Sequence, residues 1–560
     1  MNKNIILTFS LASLLLCASC SSKMGALSPN LFTVTPKPLE TQGGHVTAAI
    51  DGTFPEKYFD RKATVTIVPE LRYDGQAAQA SAASFQGEKV MGNNQTINYR
   101  LGGRFTMLAD FPYNDLMRNS DLYLTFKGTK GNKTFTIPAV KIGEGVIATS
   151  ELYKKTMISD GALIAPDSFQ HVRTNKYDAE VKFLINQANL RQSELKNNSV
   201  KEFVALLKRI NADRERLNIK NVEVNAYASP EGGVAFNEKL ATQRQNTSED
   251  YVKQQLKSAK LGTTDVDAHY TAQDWEGFRQ LVAASNIQDK DVILRVLSMY
   301  KDPEEREQQI RNMSEGFREL ATGILPELRR SRMTINYEAI GRSDDEIKAQ
   351  YESDATKLSP EELLYMASTL EENPSKKAEV YQTAAKLYDR DYRPLNNLAA
   401  LAFDRGDYAE AENYLRKAEA LNPSGGEVYG NEGLIALRQG DLSKAEALIA
   451  KASKAGNASQ AVGLLQIAKG DAVAASRTLE GQKTNTAALA SILAKDYDTA
   501  AKQLDGVEHP DALNCYLHAI VAARRGNAYA TQSYLEEAYK KDASFKDYAE
   551  KDLELAKYRK

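Results

Sequence analysis

The chain of 560 residues has little cysteine, histidine or tryptophan and no surplus of either charge sign. It contains three cysteines, five histidines and one tryptophan, and its formal net charge is −2. Because a balanced charge lacks the basic excess that neutralises phosphates, we expect no nucleic-acid partner. So few cysteines and such scattered histidines leave little material for a disulfide framework or a metal site, and we expect no metal and no cofactor.

Long apolar runs are also missing, apart from one near the N-terminus. Lys3 precedes an apolar run from Ile5 to Leu16. A membrane-spanning helix needs about 20 apolar residues, so this run is too short to be a permanent anchor. A short positive segment before a short apolar run is typical of a secretory signal peptide, which we place at residues 1–19.

The end of this segment resembles the lipobox of bacterial lipoproteins. Small residues at 18 and 19 lead to Cys20, although Cys17 stands where that family usually has leucine. The resemblance implies that Cys20 is acylated and tethers the chain to a membrane. The absence of an acidic cluster after Cys20 favours the outer membrane, facing the periplasm. Surface display and an ordinary secreted protein are the alternatives.

The composition and length of the chain are those of a globular protein with several domains. Hydrophobic residues make up 42% and charged residues 26% of the chain, so wholesale disorder is excluded. Residues 28–147 alternate and turn often, as in the β-branched stretch Ala63–Val68. Residues 121–126 and 134–137 flank a turn at Gly131 and Asn132, which predicts a β-hairpin. Short strands without intervening helices predict an all-β sandwich with an immunoglobulin-like architecture.

Residues 150–341 resemble the OmpA-like domain. A β-α-β-α pattern places Gly232, Asn237, Leu240 and Arg244 at the spacing of that family's T-D-x-x-G and N-x-x-L-x-x-x-R motifs. Residues 328–337 resemble its last strand, N-R-R-V-E-I. The resemblance implies an α/β domain that binds the diaminopimelate of peptidoglycan.

Two departures qualify this resemblance. Ser229 stands where the family has the aspartate that binds the ligand ammonium, and Glu231 is the candidate substitute. Arg244 is kept, and a guanidinium fork suits a carboxylate. The peptidoglycan site is therefore predicted at Ser229, Glu231, Asn237 and Arg244. The alternative for Arg244 is a surface residue paired with an acidic neighbour such as Glu238 or Glu249. An unusually long connection predicts inserted helices at about residues 275–322.

Residues 345–560 are rich in alanine and repeat. Gly406-Asp407-Tyr408 recurs as Gly440-Asp441-Leu442 and in weaker forms further on, with small residues at fixed offsets. This pattern resembles the tetratricopeptide repeat (TPR), and we take Asn373 and Lys495 as two further turn positions. About six units result, which predicts an all-α solenoid with a concave surface for a peptide or partner helix. The last ten residues are predicted to form a solvated capping helix.

These features favour a non-enzymatic, lipid-anchored outer-membrane scaffold. The repeats would bind envelope proteins, and the central domain would bind peptidoglycan. No nucleophile is paired with a base in any recognisable motif, so we assign no catalytic residue. A cell-wall enzyme or its regulator, and a surface antigen or fimbrial accessory protein, are the alternatives.

Overall fold

The computed structural model describes residues 24–287, 289–312, 318–453 and 455–558. The predicted signal peptide and Cys20 lie outside these residues. The chain divides into two compact units: unit 1 extends up to Asp167 and resumes at Ala367, and unit 2 is Ser168–Met366. The predicted start of the central domain at Ser150 is therefore too early, because residues 150–167 fold with unit 1.

Unit 1 begins with a β-rich domain, as predicted. Its strands are β1 Phe32–Thr35, β2 Leu39–Gln42, β3 His45–Phe54, β4 Ala63–Tyr73, β5 Gln76–Gln79, β6 Ala83–Gly87, β7 Gln95–Ile97, β8 Gly103–Pro112, β9 Ser120–Lys130, β10 Lys133–Glu144 and β11 Val146–Ile147. One sheet has the order β1-β3-β2-β11 with β8 also on β3, and the other has the order β10-β9-β4-β6-β7 with β5 on β4. The predicted hairpin is confirmed, since Lys130 of β9 faces Lys133 of β10.

Both sheets contribute to one apolar core. Every second residue of β4 is buried, which is the period expected of a strand with one face inward. Phe54, Phe85 and Phe105 meet within this core, with ring centroids 4.7 to 5.8 Å apart. Two strand pairs, β2–β11 and β6–β7, are parallel. The immunoglobulin-like topology stays a prediction.

Unit 2 is an α/β domain. Its sheet has the order β12-β15-β13-β14, formed by β12 Val172–Lys182, β13 Leu217–Tyr227, β14 Asp265–Thr271 and β15 Arg330–Ile340. Only β13 and β14 are parallel. Its helices are α2 Gln192–Leu195, α3 Asn198–Ala212, α4 Val234–Ser258, α5 Trp275–Ala284, α6 Lys290–Met299, α7 Pro303–Arg311, α8 Leu325–Leu328, α9 Asp344–Asp354 and α10 Pro360–Tyr365, preceded along the chain by α1 Tyr153–Asp160 of unit 1.

The helices between β14 and β15 have a core of their own. Phe278, Val282, Ile293 and Leu328 are almost fully buried there, and Trp275 packs against them. The second core of unit 2 lies between the sheet and helices α3 and α4. The predicted insertion thus corresponds to a separate helical layer that ends where the last strand begins.

The remainder of unit 1 is a series of helices. They are α11 Pro374–Leu387, α12 Arg393–Asp404, α13 Tyr408–Leu421, α14 Gly426–Arg438, α15 Leu442–Ala452, α16 Ser459–Ala468, α17 Ala472–Thr478, α18 Asn485–Leu493, α19 Tyr497–Asp505, α20 Ala512–Arg524, α21 Ala528–Lys541 and α22 Ser544–Glu550. Five antiparallel pairs follow α11 in the described residues, from α12–α13 to α20–α21. The second helix of each pair has an Asp or Asn N-cap whose side chain accepts a backbone N–H.

The predicted alignment of the first repeat with the others is wrong by one residue. Asn373 is an N-cap, the counterpart of Asp407 and not of Gly406. Ala384 is consequently the buried equivalent of Ala418, and Ala385 beside it is only partly buried. The shift arises because Pro374, which suits a first helical position, starts the helix immediately after its cap.

The turns within the pairs require a left-handed residue. Gly440 has φ +82° and Lys495, as the sequence predicted for a turn position, has φ +66°. Only glycine adopts this conformation without strain. We expect Gly440→Ala to lower the free energy of unfolding by about 1 kcal/mol and Lys495→Gly to raise it by about 0.5 kcal/mol. Urea unfolding midpoints at fixed pH measure both, and two changes of the same sign would contradict this explanation.

The C-terminal residues do not form the solvated helix that was predicted. A short 3-10 helix covers Leu553–Tyr558, and Leu555 is fully buried. Asp552 accepts a 2.6 Å hydrogen bond from the Tyr516 hydroxyl. Glu554 pairs with Arg524. This segment therefore packs against the last helix pair, with the Leu555 side chain buried.

Candidate functional site

One side of the helix pairs in unit 1 is covered by a segment of the chain itself. We call residues 149–167 the strap, and we call the surface formed by the first helices of the pairs (α12, α14, α16, α18 and α20) the A face. The strap consists of the 3-10 helix Thr149–Leu152, helix α1 and residues 161–167, which form neither helix nor strand. It lies on the A face and is buried in the same apolar core as the helices.

Two asparagines bind the backbone of the strap at Leu163 and Ala165. Asn431 accepts a hydrogen bond from the Leu163 N–H at 2.8 Å and donates to the Leu163 carbonyl at 2.9 Å. Asn397 makes the same pair with Ala165, at 2.7 and 3.2 Å. The asparagines lie 34 residues apart, which is one repeat. Successive repeats therefore bind alternate residues of an extended strand.

A third asparagine connects these contacts. Asn396 donates to the Leu163 carbonyl and accepts a 3.0 Å hydrogen bond from Asn431. The three asparagines are at most 2% exposed. Because buried amides are costly unless they are hydrogen-bonded, this network depends on the presence of the strap backbone.

The strap side chains fit the face as well. Leu163 and Ala165 are each 1% exposed, whereas Ile164 between them is only partly buried. A Cβ atom on Gly430 would lie 2.5 Å from the Leu163 side chain. Because Gly430 has no side chain, helix α14 has a notch at this position, and the Leu163 side chain lies in it.

Polar contacts hold the strap on both sides of this segment. Asp160 accepts a 3.0 Å hydrogen bond from the Thr486 N–H in the first turn of α18, a position that favours a carboxylate. Burial raises the pKa of the Asp160 carboxyl. Arg393 donates to the Asp167 carbonyl at 3.1 Å. At the other end, the Thr149 hydroxyl donates to Glu554.

The β-rich domain also contacts the helices directly. Gln42 donates a 2.7 Å hydrogen bond to the Gly470 carbonyl, and Arg118 donates a 2.8 Å bond to the Tyr548 hydroxyl. The β-rich domain, the strap and the helical pairs therefore form one unit. The open surface that the sequence predicted for partners is, on the A face, already occupied.

The four residues of the predicted peptidoglycan site lie around the loop after β13. Asn237 donates to the carbonyls of Ser229, Glu231 and Gly232 at 3.0 to 3.2 Å, so it holds the loop in place. Ser229 donates to the Glu231 carboxylate at 3.0 Å. That carboxylate also accepts two hydrogen bonds from Arg329, at 3.0 and 2.7 Å. Arg329 is the residue that sequence analysis noted in the last strand without assigning it to the site.

Arg244 is 1% exposed and bonded to backbone carbonyls. Its guanidinium donates to Gln187, Tyr227 and Leu184 at 3.0, 2.8 and 3.3 Å. Burial and, secondarily, the charge of Arg329 lower the pKa of Arg244 to about 10, against the opposing effect of Glu231.

The surface alternative for Arg244 is wrong. Its side chain is buried, and both acidic neighbours named for it have other partners. Glu249 pairs with Lys253 at 2.6 Å, and Glu238 accepts a 3.0 Å hydrogen bond from Tyr270.

The inserted helices contact the same loop. Glu307 of α7 accepts a 2.7 Å hydrogen bond from the Gly232 N–H and also pairs with Arg311. A cavity of about 20 Å³ beside the loop is lined by Pro230, Glu231 and residues of the insertion. That volume holds about one water molecule. The loop is thus packed against the insertion, a contact that the local motif does not indicate.

The described part of the chain contains no cluster of three or more His, Cys, Asp or Glu residues placed to hold a metal ion. His171 lies 3.2 Å from the Asp344 carboxylate and 3.1 Å from the Arg342 carbonyl. Within the same residues, none of the helices combines the length and the apolar character needed to cross a bilayer.

A family model described as the tetratricopeptide repeat matches residues 402–467. No curated protein matches the chain. A tetratricopeptide repeat protein from Parabacteroides merdae is 15% identical, with 36% of this chain and 85% of that chain covered and a TM-score of 0.27. PilF of Pseudomonas aeruginosa is 16% identical, with 37% and 98% covered and a TM-score of 0.26. Yeast Tom70 is 12% identical, with 64% and 88% covered and a TM-score of 0.26.

The family match covers α13 to α15 completely and reaches into α12 and α16. The helix pairs that follow this match have the same Asp or Asn caps and left-handed turns. The C-terminal region of this chain therefore contains tetratricopeptide repeats, a type of repeat that serves protein interaction.

Proposed function

We propose that the protein is a non-enzymatic scaffold, anchored by lipid to the outer membrane, that binds envelope proteins. The observation that carries this proposal is the manner in which the A face holds the strap: paired amides bind its backbone and a notch receives its leucine. An array with these contacts recognises polypeptide, and repeat arrays offer extended surfaces for such binding.

The position of the β-rich domain supports an anchor at Cys20. Met24 and Leu27 are 3% and 6% exposed, so the folded domain begins four residues after that cysteine. Four extended residues span at most about 14 Å. Acyl chains on Cys20 would therefore hold the β-rich domain close to the bilayer, and several chains bind far more firmly than one.

Metabolic labelling with a radioactive fatty acid tests the anchor. We expect label in the wild type and none in Cys20→Ala, whereas Cys515→Ala, which alters a buried thiol, keeps it. Label that persists in Cys20→Ala would remove the anchor from the proposal. Crosslinking in intact cells tests the scaffold: specific envelope proteins captured by the wild type support it, and capture of none contradicts it.

Peptidoglycan binding by unit 2 is the second candidate. The observation that favours it is the convergence of Ser229, Glu231, Asn237 and Arg244 at one loop. A ligand ammonium would take the place of Arg329 at the Glu231 carboxylate, and Glu307 would have to release Gly232. The role of Arg244 in this site is to hold the loop, because its donors already bind carbonyls.

Sedimentation of the full chain with purified peptidoglycan tests this candidate. We compare wild type with Glu231→Gln, which removes the charge but keeps the shape, and with Glu249→Gln on the exposed side of α4. Loss of binding in Glu231→Gln alone supports the candidate, and equal sedimentation of all three contradicts it. Arg244→Ala is unsuitable because it disturbs the fold. Turnover of the wall by the purified chain would favour the enzyme alternative, and accessibility to protease on intact cells would favour surface display.

A further inference from the structure

We propose that the A face is a groove for extended peptides and that the strap is its built-in competitor. This inference rests on the proposed scaffold function and adds how access to the array is controlled. It follows from the kind of contact that the groove makes with residues 160–165.

The groove binds main-chain atoms that any extended peptide carries. Asn397 and Asn431 each contact one N–H and one C=O group of the strap, and neither bond involves a strap side chain. Such bonds give affinity without specificity, as in other modes of strand recognition.

Specificity comes from three strap side chains at fixed spacing. Asp160 reaches the first turn of α18, Leu163 fills the notch at Gly430, and Ala165 is enclosed two residues later. The partner that fits is therefore a peptide with a carboxylate at the end of a helical turn, a leucine three residues on and a small residue two residues after that, the last two presenting their backbone N–H and C=O groups to Asn431 and Asn397.

The helices of each pair also pack on one another directly. Ile449 of α15 lies within 3.4 Å of where a Cβ on Gly433 of α14 would be, and Ala411 and Ala418 of α13 are fully buried. These contacts lie between paired helices, away from residues 160–165. The strap therefore adds to contacts that the paired helices already make, as a bound peptide would.

Tethering makes the strap a strong competitor. A segment joined to its site by short linkers has an effective concentration in the millimolar range. A free peptide with the same contacts, present at micromolar concentration, is therefore disfavoured by about 1,000-fold. Partners gain access when they bind more tightly than the strap or when the strap is loosened.

The test uses the full chain and a fluorescein-labelled peptide of residues 158–167, with binding measured by fluorescence anisotropy. In Leu163→Glu the strap is weakened, and we expect the peptide to bind at least ten-fold more tightly than to the wild type. Adding Gly430→Val to that variant fills the notch and should weaken binding at least ten-fold. Gly456→Val, at a site with no neighbour within 4 Å, is the matched control and should not.

Two results would overturn the proposal. Equal peptide binding by wild type and Leu163→Glu would show that the strap does not compete. No binding by a Leu163→Glu chain with unchanged helical circular dichroism would show that the strap is core and not ligand. If Leu163→Glu loses its helical signal, Leu163→Ala replaces it, and the same two results decide. Fatty-acid labelling and crosslinking in cells test the scaffold independently of this peptide.

Discussion

Replacing Asn431 with alanine is expected to lower the free energy of unfolding of unit 1 by about 3 kcal/mol. The change removes the acceptor of the Leu163 N–H, one donor to the Leu163 carbonyl and the donor to Asn396. The N–H and the Asn396 oxygen then stay buried without partners, which costs about 1–3 kcal/mol each. Urea unfolding measures the loss, and hydrogen exchange of α14 and α16 locates it.

Asn457→Ala provides the control for this prediction. Asn457 also donates to the strap, at 2.9 Å to the Ile164 carbonyl, but its side chain is exposed. Water replaces that bond after the substitution, so we expect a loss below about 0.5 kcal/mol. Equal effects of the two substitutions would contradict a role for the buried asparagine network.

Replacing Arg244 with methionine is expected to lower the free energy of unfolding of unit 2 by about 2–4 kcal/mol. Methionine keeps most of the volume but leaves the carbonyls of Leu184, Gln187 and Tyr227 without this donor. The lowered pKa of Arg244 indicates that burying its charge costs free energy. Methionine removes that cost, which offsets part of the loss. Hydrogen exchange of strands β12 and β13 measures the effect.

Lys253→Ala is the matched control on the same helix. Lys253 pairs with Glu249 at 2.6 Å, and its side chain is 58% exposed. Exposed pairs contribute little, so the expected change is below about 0.5 kcal/mol. If Arg244→Met were equally mild, the guanidinium would be free for a ligand, and the structural role assigned to it here would be wrong.

The sequence predicts those parts of the fold that short-range patterns encode. The alternation in β4, the turn at Gly131 and the recurrence of glycine, aspartate and alanine in the repeats each reflect neighbours within about one element. Asp496 and Tyr497 follow Lys495 as Asp407 and Tyr408 follow Gly406, which predicts a turn at Lys495, and it has the left-handed backbone that this role requires. The one-residue error at Asn373 arose because the pattern did not weigh the proline that follows.

The strap was missed because its contacts join residues more than 200 positions apart, as between Leu163 and Asn431. A signal was nevertheless present. Helix α18 has no charged residue, and eight of its nine residues are buried, whereas a helix with one free face carries charged or polar residues there. The asparagines at 397 and 431, one repeat apart in apolar helices, were the second signal.

The predicted peptidoglycan site was only partly accessible to sequence reasoning. Motif spacing brought Ser229, Glu231, Asn237 and Arg244 to one loop, but it did not reveal the directions of their hydrogen bonds. The pairing of Glu231 with Arg329, 98 residues away, and the contact of Glu307 with Gly232 depend on how the insertion folds. Binding of the wall stays a prediction.

Hydrogen exchange of the wild-type chain tests the central claim, that the strap occupies the A face, most directly. The N–H groups of Leu163 and Ala165 donate to asparagine side chains at 2.8 and 2.7 Å. We expect these two amides to exchange at least about 100-fold more slowly than in an unstructured peptide. Exchange of both at the unstructured rate, while the helices of the array stay protected, would contradict the account.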